Sequence, residues 1–194
     1  MRIEQRFITG TSRQIALVRG SPQDDNCRAF RRSLGQYPTG VAVITARHNG
    51  GLVGMTVNSF ASVSLDPPLI LWSIRRESQS CDAFRSVEHF AVNVLAHDQV
   101  QVSQWFSTAH PEKFKMITWD AGLGGAPLIH GTVAQLECQR VSVQDAGDHL
   151  ILIGEVKQHA HFDGKSLVFS GGEYSITQAL PREQSNHQKR DLVA

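Results

Sequence analysis

The chain is short of cysteine, of charge imbalance and of long apolar runs, and each shortage removes a class of function. Its three cysteines, Cys27, Cys81 and Cys138, are odd in number and scattered, with no CxxC. That pattern fits reduced thiols packed in an interior, not a disulfide framework. Lys and Arg (19) nearly balance Asp and Glu (18), giving a formal charge of +1. With no basic run or basic half, nucleic-acid binding by bulk charge is not expected. No apolar run approaches the roughly 20 residues that span a bilayer, so no membrane span is expected. The opening "MRIEQRFITGTSRQ" has no apolar segment of the kind a secretory signal carries, which makes the cytoplasm the expected compartment.

Familiar catalytic signatures are missing too. There is no GxSxG elbow, no Walker A loop and no HExxH. "GLGGAP" has glycines, but Pro127 and the lack of a following helix pattern deny it a Rossmann role. His159 and His161 share one side of a strand, yet two ligands without a third fall short of a zinc site, and no metal is expected.

What is present suits one globular domain with extensions: 194 residues, 41% hydrophobic and 19% charged. Residues 1–25 are thin in apolar content and read as an N-terminal extension; 26–180 form the domain; 181–194 are a polar tail. Asp25 or Asn26 is placed to cap a short helix, "CRAFRRSLGQ", with Ala29, Phe30 and Leu34 as its apolar stripe. "VAVITA", the Asn-Gly turn in "RHNGG" and "LVGMTV" make a hairpin. "ASVSL" alternates as a strand, and "LILWSI" is a continuous apolar run, predicting a strand buried on both faces. "SQSCDAFRSV" predicts a helix capped by Ser78 or Ser80, and "HDQVQVSQWFS" one begun by Asp98, with the strand "FAVNVL" between them. "HPEKFKMITWDAGLGGAP" reads as a long irregular loop, and strands return from "GTVAQLECQRVSVQ" to "SLVFSGGEYSI". Six or seven strands in antiparallel hairpins, with two or three short helices between them, predict a mainly β fold. A β-barrel with helical insertions suits them better than a doubly wound parallel sheet.

One stretch carries chemistry. In "GMTVNSFASVSLDPP", Thr56 and Asn58 point to one side of a strand while Met55 and Val57 point into the core. Ser59 follows, and Ser62 and Ser64 repeat the pattern on the next strand. Such uncharged hydroxyls and an amide either cap a turn or hold a flat heteroaromatic ring by its polar rim. The residues alone leave both readings open.

"PTGVAVIT", "GMTVNSFASVSLDPPLILWSI", "FAVNVL", "PEKF", "GDH" and "GGEY", in that order, closely resemble the flavin reductase-like family, from about Phe30 to about Tyr174. These are short-chain NAD(P)H:flavin oxidoreductases that serve two-component monooxygenases. The resemblance implies a six-stranded antiparallel split barrel that binds FMN or FAD, usually a homodimer. It also implies NADH or NADPH as hydride donor and a separate monooxygenase as recipient of the reduced flavin. An alternative on the same barrel is a flavoprotein that retains its flavin as an electron carrier or oxidase. Carried over by motif, Thr56, Asn58, Ser59, Ser62, Val63 and Ser64 would line the ring and ribityl chain. Ser78 and Ser80, beside Arg75 and Arg76, match the phosphate site, where helix N–H groups and guanidinium groups favour an anion. His149 of "GDH" stands where the family places a histidine near the nicotinamide, although a turn histidine has the same local pattern. Phe106 and Tyr174 either flank the flavin or pack in the core, and Lys113 and Phe114 are placed to close over the dinucleotide or the partner subunit.

Overall fold

The computed structural model describes residues 27–180. The expected extension, its capping residues Asp25 and Asn26, and the tail 181–194 lie outside the described residues. The chain divides into two compact units, Met1–Tyr37 and Pro38–Ala194. The described part of the first is built on helix α1 (Cys27–Leu34), whose Phe30 and Leu34 are exposed.

The second unit carries the strands. β1 (Thr39–Gly40) leads to the hairpin of β2 (Ala42–His48) and β3 (Gly51–Val57). Asn49 (φ 49°) and Gly50 (φ 78°) both adopt the left-handed backbone that a two-residue hairpin turn requires. β4 (Ala61–Leu65) and β5 (Pro68–Arg75) follow, then helix α2 (Cys81–Ser86), β6 (His89–Val94) and helix α3 (Val100–Phe106). A small pair, β7 (Trp119–Ala121) and β8 (Pro127–Ile129), precedes the long strands β9 (Ala134–Ala146) and β10 (His149–His161). β11 (Leu167–Ser170) and β12 (Glu173–Ile176) close the described chain.

Seven strands form the main sheet, in the order β3-β2-β6-β9-β10-β5-β4, all antiparallel. The expected mainly β, antiparallel architecture is present. Its seven strands agree with the six or seven expected from the pattern, and β4, also expected, folds back on β5 after Leu65 as an edge strand. The sheet rolls until the end of β3 stands beside β5. There a side chain, not a ladder, closes the seam: Ser59 Oγ donates to Ser73 O and accepts from Ser73 N, each at 3.0 Å.

Two apolar clusters hold the roll. Inside, Ala42, Ile44 and Ala46 of β2 meet Trp72, Ile74, Phe84 and Phe90. Outside, Val41 and Val43 meet Leu95, Phe106, Ile129 and Leu167. Strand β2 is therefore buried on both faces, which explains the unbroken "VAVITA". Strand β5 is different from its prediction: Ile70, Trp72 and Ile74 are buried while Leu69, Leu71 and Ser73 are only partly so. Its second face borders an opening.

The stretch read as irregular loop is pinned instead. Asn93, fully buried, accepts from Ile129 N at 2.7 Å and donates to Val43 O (3.1 Å) and Pro127 O (3.2 Å). Thr45 Oγ1 also donates to Pro127 O. These buried groups fasten β8 to β2 and β6, since leaving any of them unpaired would cost about 1–3 kcal/mol. The helix caps also differ from expectation. Ser80 precedes α2 and Gln99, not Asp98, precedes α3, and neither side chain makes a capping bond. Cys81 and Cys138 are buried free thiols, and burial, with Glu137 nearby, pushes Cys138 up to about 12. Among the described residues no helix is long and apolar enough to cross a membrane.

Candidate active site

At the seam between β3 and β5 the barrel opens into a cleft of about 390 Å³. The end of β3 and the residues after it supply Met55, Thr56, Val57, Asn58 and Ser59; β5 supplies Ser73, Ile74 and Arg75; the turn before α2 supplies Glu77 and Ser78; and β10 begins at the rim with His149. The volume falls in the range of cofactor sites, about 300–1,000 Å³.

Much of the polar lattice is committed to the protein itself. Thr56 Oγ1 donates to Ser103 O at 2.7 Å and so ties β3 to α3. Ser59 spends its hydroxyl on both backbone groups of Ser73. Ser78 Oγ accepts from Ser80 N at 3.3 Å, which leaves its hydrogen available. Asn58 is exposed, and its amide has no partner among the described residues; the Arg75 guanidinium makes no hydrogen bond or ion pair among them, although its charge is felt by Asp148. His149 Nδ1 lies 2.7 Å from Asp148 Oδ1, with Nε2 left over. The hydrogen bond and charge of His149 hold the exposed Asp148 carboxyl below its usual range.

A second cavity of about 160 Å³ shares Thr56, Val57 and Asn58 and is completed by Val41, Ser103, Ser107, Phe169 and Tyr174. Tyr174 Oη sits 2.9 Å from Ser103 Oγ and packs edge-on to Phe169 at 5.4 Å. Asn58 thus belongs to the walls of both spaces.

Of the residues singled out from sequence, Thr56, Asn58, Ser59, Arg75, Ser78 and His149 come together in the cleft, and Tyr174 lines the adjoining cavity. Ser62, Val63 and Ser64 line neither. They lie on edge strand β4, where the register passes from Ser62↔Ile70 to Ser64↔Leu69 and bulges at Val63. Ser80 also lies outside both linings, and Arg76 turns instead to the β9–β10 turn, where it pairs with Asp145 at 2.6 Å. Phe106 is 1% exposed and stands edge-on to Phe114 at 5.0 Å, so it is a core aromatic that no ring can reach. The same contact fixes "PEKF" to α3, with Lys113 Nζ donating to Thr108 O at 3.1 Å. Sequence reasoning missed Met55, Val57, Ser73, Ile74 and Glu77 in the cleft and Ser103 beside it. Ser73, the lone hydroxyl within "LILWSI", was the available signal of a polar opening on that face.

Residues 34–178 match the sequence profile of the flavin reductase like domain. The FMN reductase (NADH) SmoA of Agrobacterium fabrum is 49% identical over 153 residues, 79% of this chain and 87% of that protein. HsaB, the reductase subunit of a flavin-dependent monooxygenase in Mycobacterium tuberculosis, is 38% identical over 76% of this chain and 81% of its own. Among solved structures, the NADH:FAD oxidoreductase SgcE6 of Streptomyces globisporus, in complex with NAD and FAD fragments, superposes with a TM-score of 0.78 at 35% identity, over 85% of this chain and 98% of that one.

This chain belongs to the flavin reductase-like family. Its mainly β, antiparallel split barrel is the fold it shares with the solved flavin reductase. Among the described residues, the groups without a hydrogen-bond acceptor of their own are of the kind a flavin would need: an amide, at Asn58, to suit a rim of carbonyls and imide N–H, and a guanidinium and a hydroxyl, at Arg75 and Ser78, to suit a phosphate. Glu77, on the same wall, offsets part of the Arg75 charge.

Proposed function

We propose that the protein is an NADH-dependent flavin reductase that reduces FMN or FAD and hands the reduced flavin to a separate monooxygenase component. The observation that carries this reading is the cleft at the β3–β5 seam, where Asn58, Arg75 and His149 Nε2, none of them hydrogen-bonded among the described residues, line one cofactor-sized space. In the bound state the nicotinamide supplies a hydride at C4 and the flavin accepts it at N5. Such transfer needs neither a nucleophile nor a strong protein base, so the lack of a triad is no objection.

The protein's task is to bind and align. Asn58 offers both a donor and an acceptor to the ring rim, and Arg75 with Ser78 receives the phosphate. Met55, Val57 and Ile74 give the cleft an apolar floor that excludes water from one ring face. His149, held through Nδ1 by Asp148, presents Nε2 at the rim, where it suits the nicotinamide carboxamide or the diphosphate. Contacts that are hydrogen bonds without a covalent link favour exchange of flavin over retention. A homodimer in the cytoplasm completes the proposal.

Mixing the protein with NADH and excess free flavin under air, and following the nicotinamide absorbance, tests it. Turnover of many flavin equivalents is the expected result. Yellow protein that survives gel filtration yet reduces no free flavin would replace the proposal with a cofactor-retaining flavoprotein, and colourless, inert protein would end it. Light scattering checks the dimer.

A further inference from the structure

Arg76 was placed by sequence beside a phosphate, but three of its donors go to a single turn. Nη2 donates to Asp145 Oδ1 at 2.6 Å, Nε donates to Gly147 O at 3.0 Å, and the backbone N donates to Asp148 O at 3.0 Å. That turn joins β9 to β10 and delivers His149 to the rim of the cleft. Gly147 takes a left-handed backbone (φ 62°), and the ladder between the two strands stops at His149↔Ala146. To this tight two-residue turn Arg76 adds contacts from outside the hairpin. The pair Arg75-Arg76 divides where β5 ends and the turn toward α2 begins: Arg75 lines the cleft and Arg76 faces the β9–β10 turn.

We infer that Arg76 is a positioning residue for the nicotinamide side of the reaction, acting through His149, and not a ligand of the flavin phosphate. A guanidinium fork matches a carboxylate and a carbonyl held at fixed separation, a geometry that a lysine ammonium does not reproduce. Nε and one Nη2 N–H commit one edge of the fork to the turn, and Arg76 lines neither cavity, so its remaining N–H groups are not placed among the cleft's ligand-facing residues. The latch fixes residues 145–148, Asp148 fixes His149 Nδ1, and Nε2 is thereby aimed. The inference rests on the flavin reductase reading for what His149 meets, while the latch itself is a property of the fold.

The test compares wild type with Arg76→Ala, Arg76→Lys, Asp145→Asn, His149→Ala and the double variant Arg76→Ala/His149→Ala. Three quantities are read: KM for NADH at saturating FMN, the Kd of FMN for protein without nicotinamide by fluorescence quenching, and amide hydrogen exchange in residues 145–149. Arg76→Ala is expected to raise KM for NADH about three- to tenfold, to speed exchange in the turn, and to change the FMN Kd by less than about twofold. Arg76→Lys should resemble Arg76→Ala because the fork, not the charge, makes the latch, and Asp145→Asn should fall between it and wild type. Once His149 is gone, adding Arg76→Ala should raise KM by no more than about another twofold.

Three outcomes overturn the inference: an FMN Kd weakened more than the NADH KM, a full Arg76→Ala effect in the His149→Ala background, or wild-type KM restored by Arg76→Lys. If Arg76→Ala does not fold, Arg76→Lys and Asp145→Asn carry the same comparison. Wild-type protein that reduces no flavin would defeat the functional reading instead, and hydrogen exchange would still decide whether Arg76 holds the turn.

Discussion

Replacing Asn58 by Leu separates ligand binding from folding more cleanly than any other change in the cleft. The Asn58 side chain is exposed and has no partner among the described residues, so its loss should alter stability by no more than about 0.5 kcal/mol. Its contribution to a bound flavin is another matter. Leu removes one donor and one acceptor and leaves a rim group of the ring facing an apolar side chain, which costs about 1–3 kcal/mol. At about 1.4 kcal/mol per factor of ten, flavin affinity should fall roughly five- to 150-fold. Thr56→Val provides the inverse case. Thr56 Oγ1 donates to Ser103 O at 2.7 Å, so its loss should lower folding stability by about 1 kcal/mol through the β3–α3 contact and alter flavin affinity less than Asn58→Leu does. Fluorescence quenching gives the Kd and denaturant unfolding gives the stability. The reasoning is refuted if Asn58→Leu binds FMN and FAD as tightly as wild type, or if its loss of affinity is matched by a loss of stability.

Three further outcomes are expected. His149→Ala should raise KM for the nicotinamide about tenfold, the worth of one charge-assisted hydrogen bond, and leave flavin Kd far less affected; equal effects in steady-state and binding measurements would remove His149 from the nicotinamide side. Gly154→Ala places a Cβ 2.5 Å from Phe90 Cζ and 3.2 Å from Cys138 Cβ in the inner core, and should destabilise by about 1–3 kcal/mol in urea unfolding. Asp148 has its folded pKa depressed by His149, so its stabilising contribution is complete above the unfolded value, near 3.9, and is lost as pH falls through the folded one. Asp148→Asn should therefore be less stable than wild type at neutral pH and match it in strong acid, as compared by denaturant midpoints.

Local pattern accounts for the elements that were legible. The Asn-Gly hairpin, the alternation in "ASVSL" and the apolar runs of β2 and β6 all read directly, because their periods depend only on near neighbours. What misled were runs whose partners lie far away. "LILWSI" looked buried on both faces, yet its Ser73 face borders the seam. "HPEKFKMITWDAGLGGAP" looked irregular because the groups that order it, Asn93 and Thr45, lie on other strands. Ser62 and Ser64 looked continuous with Thr56 and Asn58, but the bulge at Val63 and the edge position of β4 take them elsewhere.

The order of residues by itself determined a mainly β antiparallel chain with an uncharged polar stretch at one strand junction, since strand periodicity and turn chemistry are local. Which of those polar groups are free was decided only by the tertiary structure. A hydroxyl or guanidinium can be consumed by any backbone group that folding brings within 3 Å or so. Ser103 claims Thr56, Ser73 claims Ser59 and the β9–β10 turn claims Arg76, and among the described cleft residues singled out from sequence that leaves Asn58, Arg75, Ser78 and His149 for the proposed ligand.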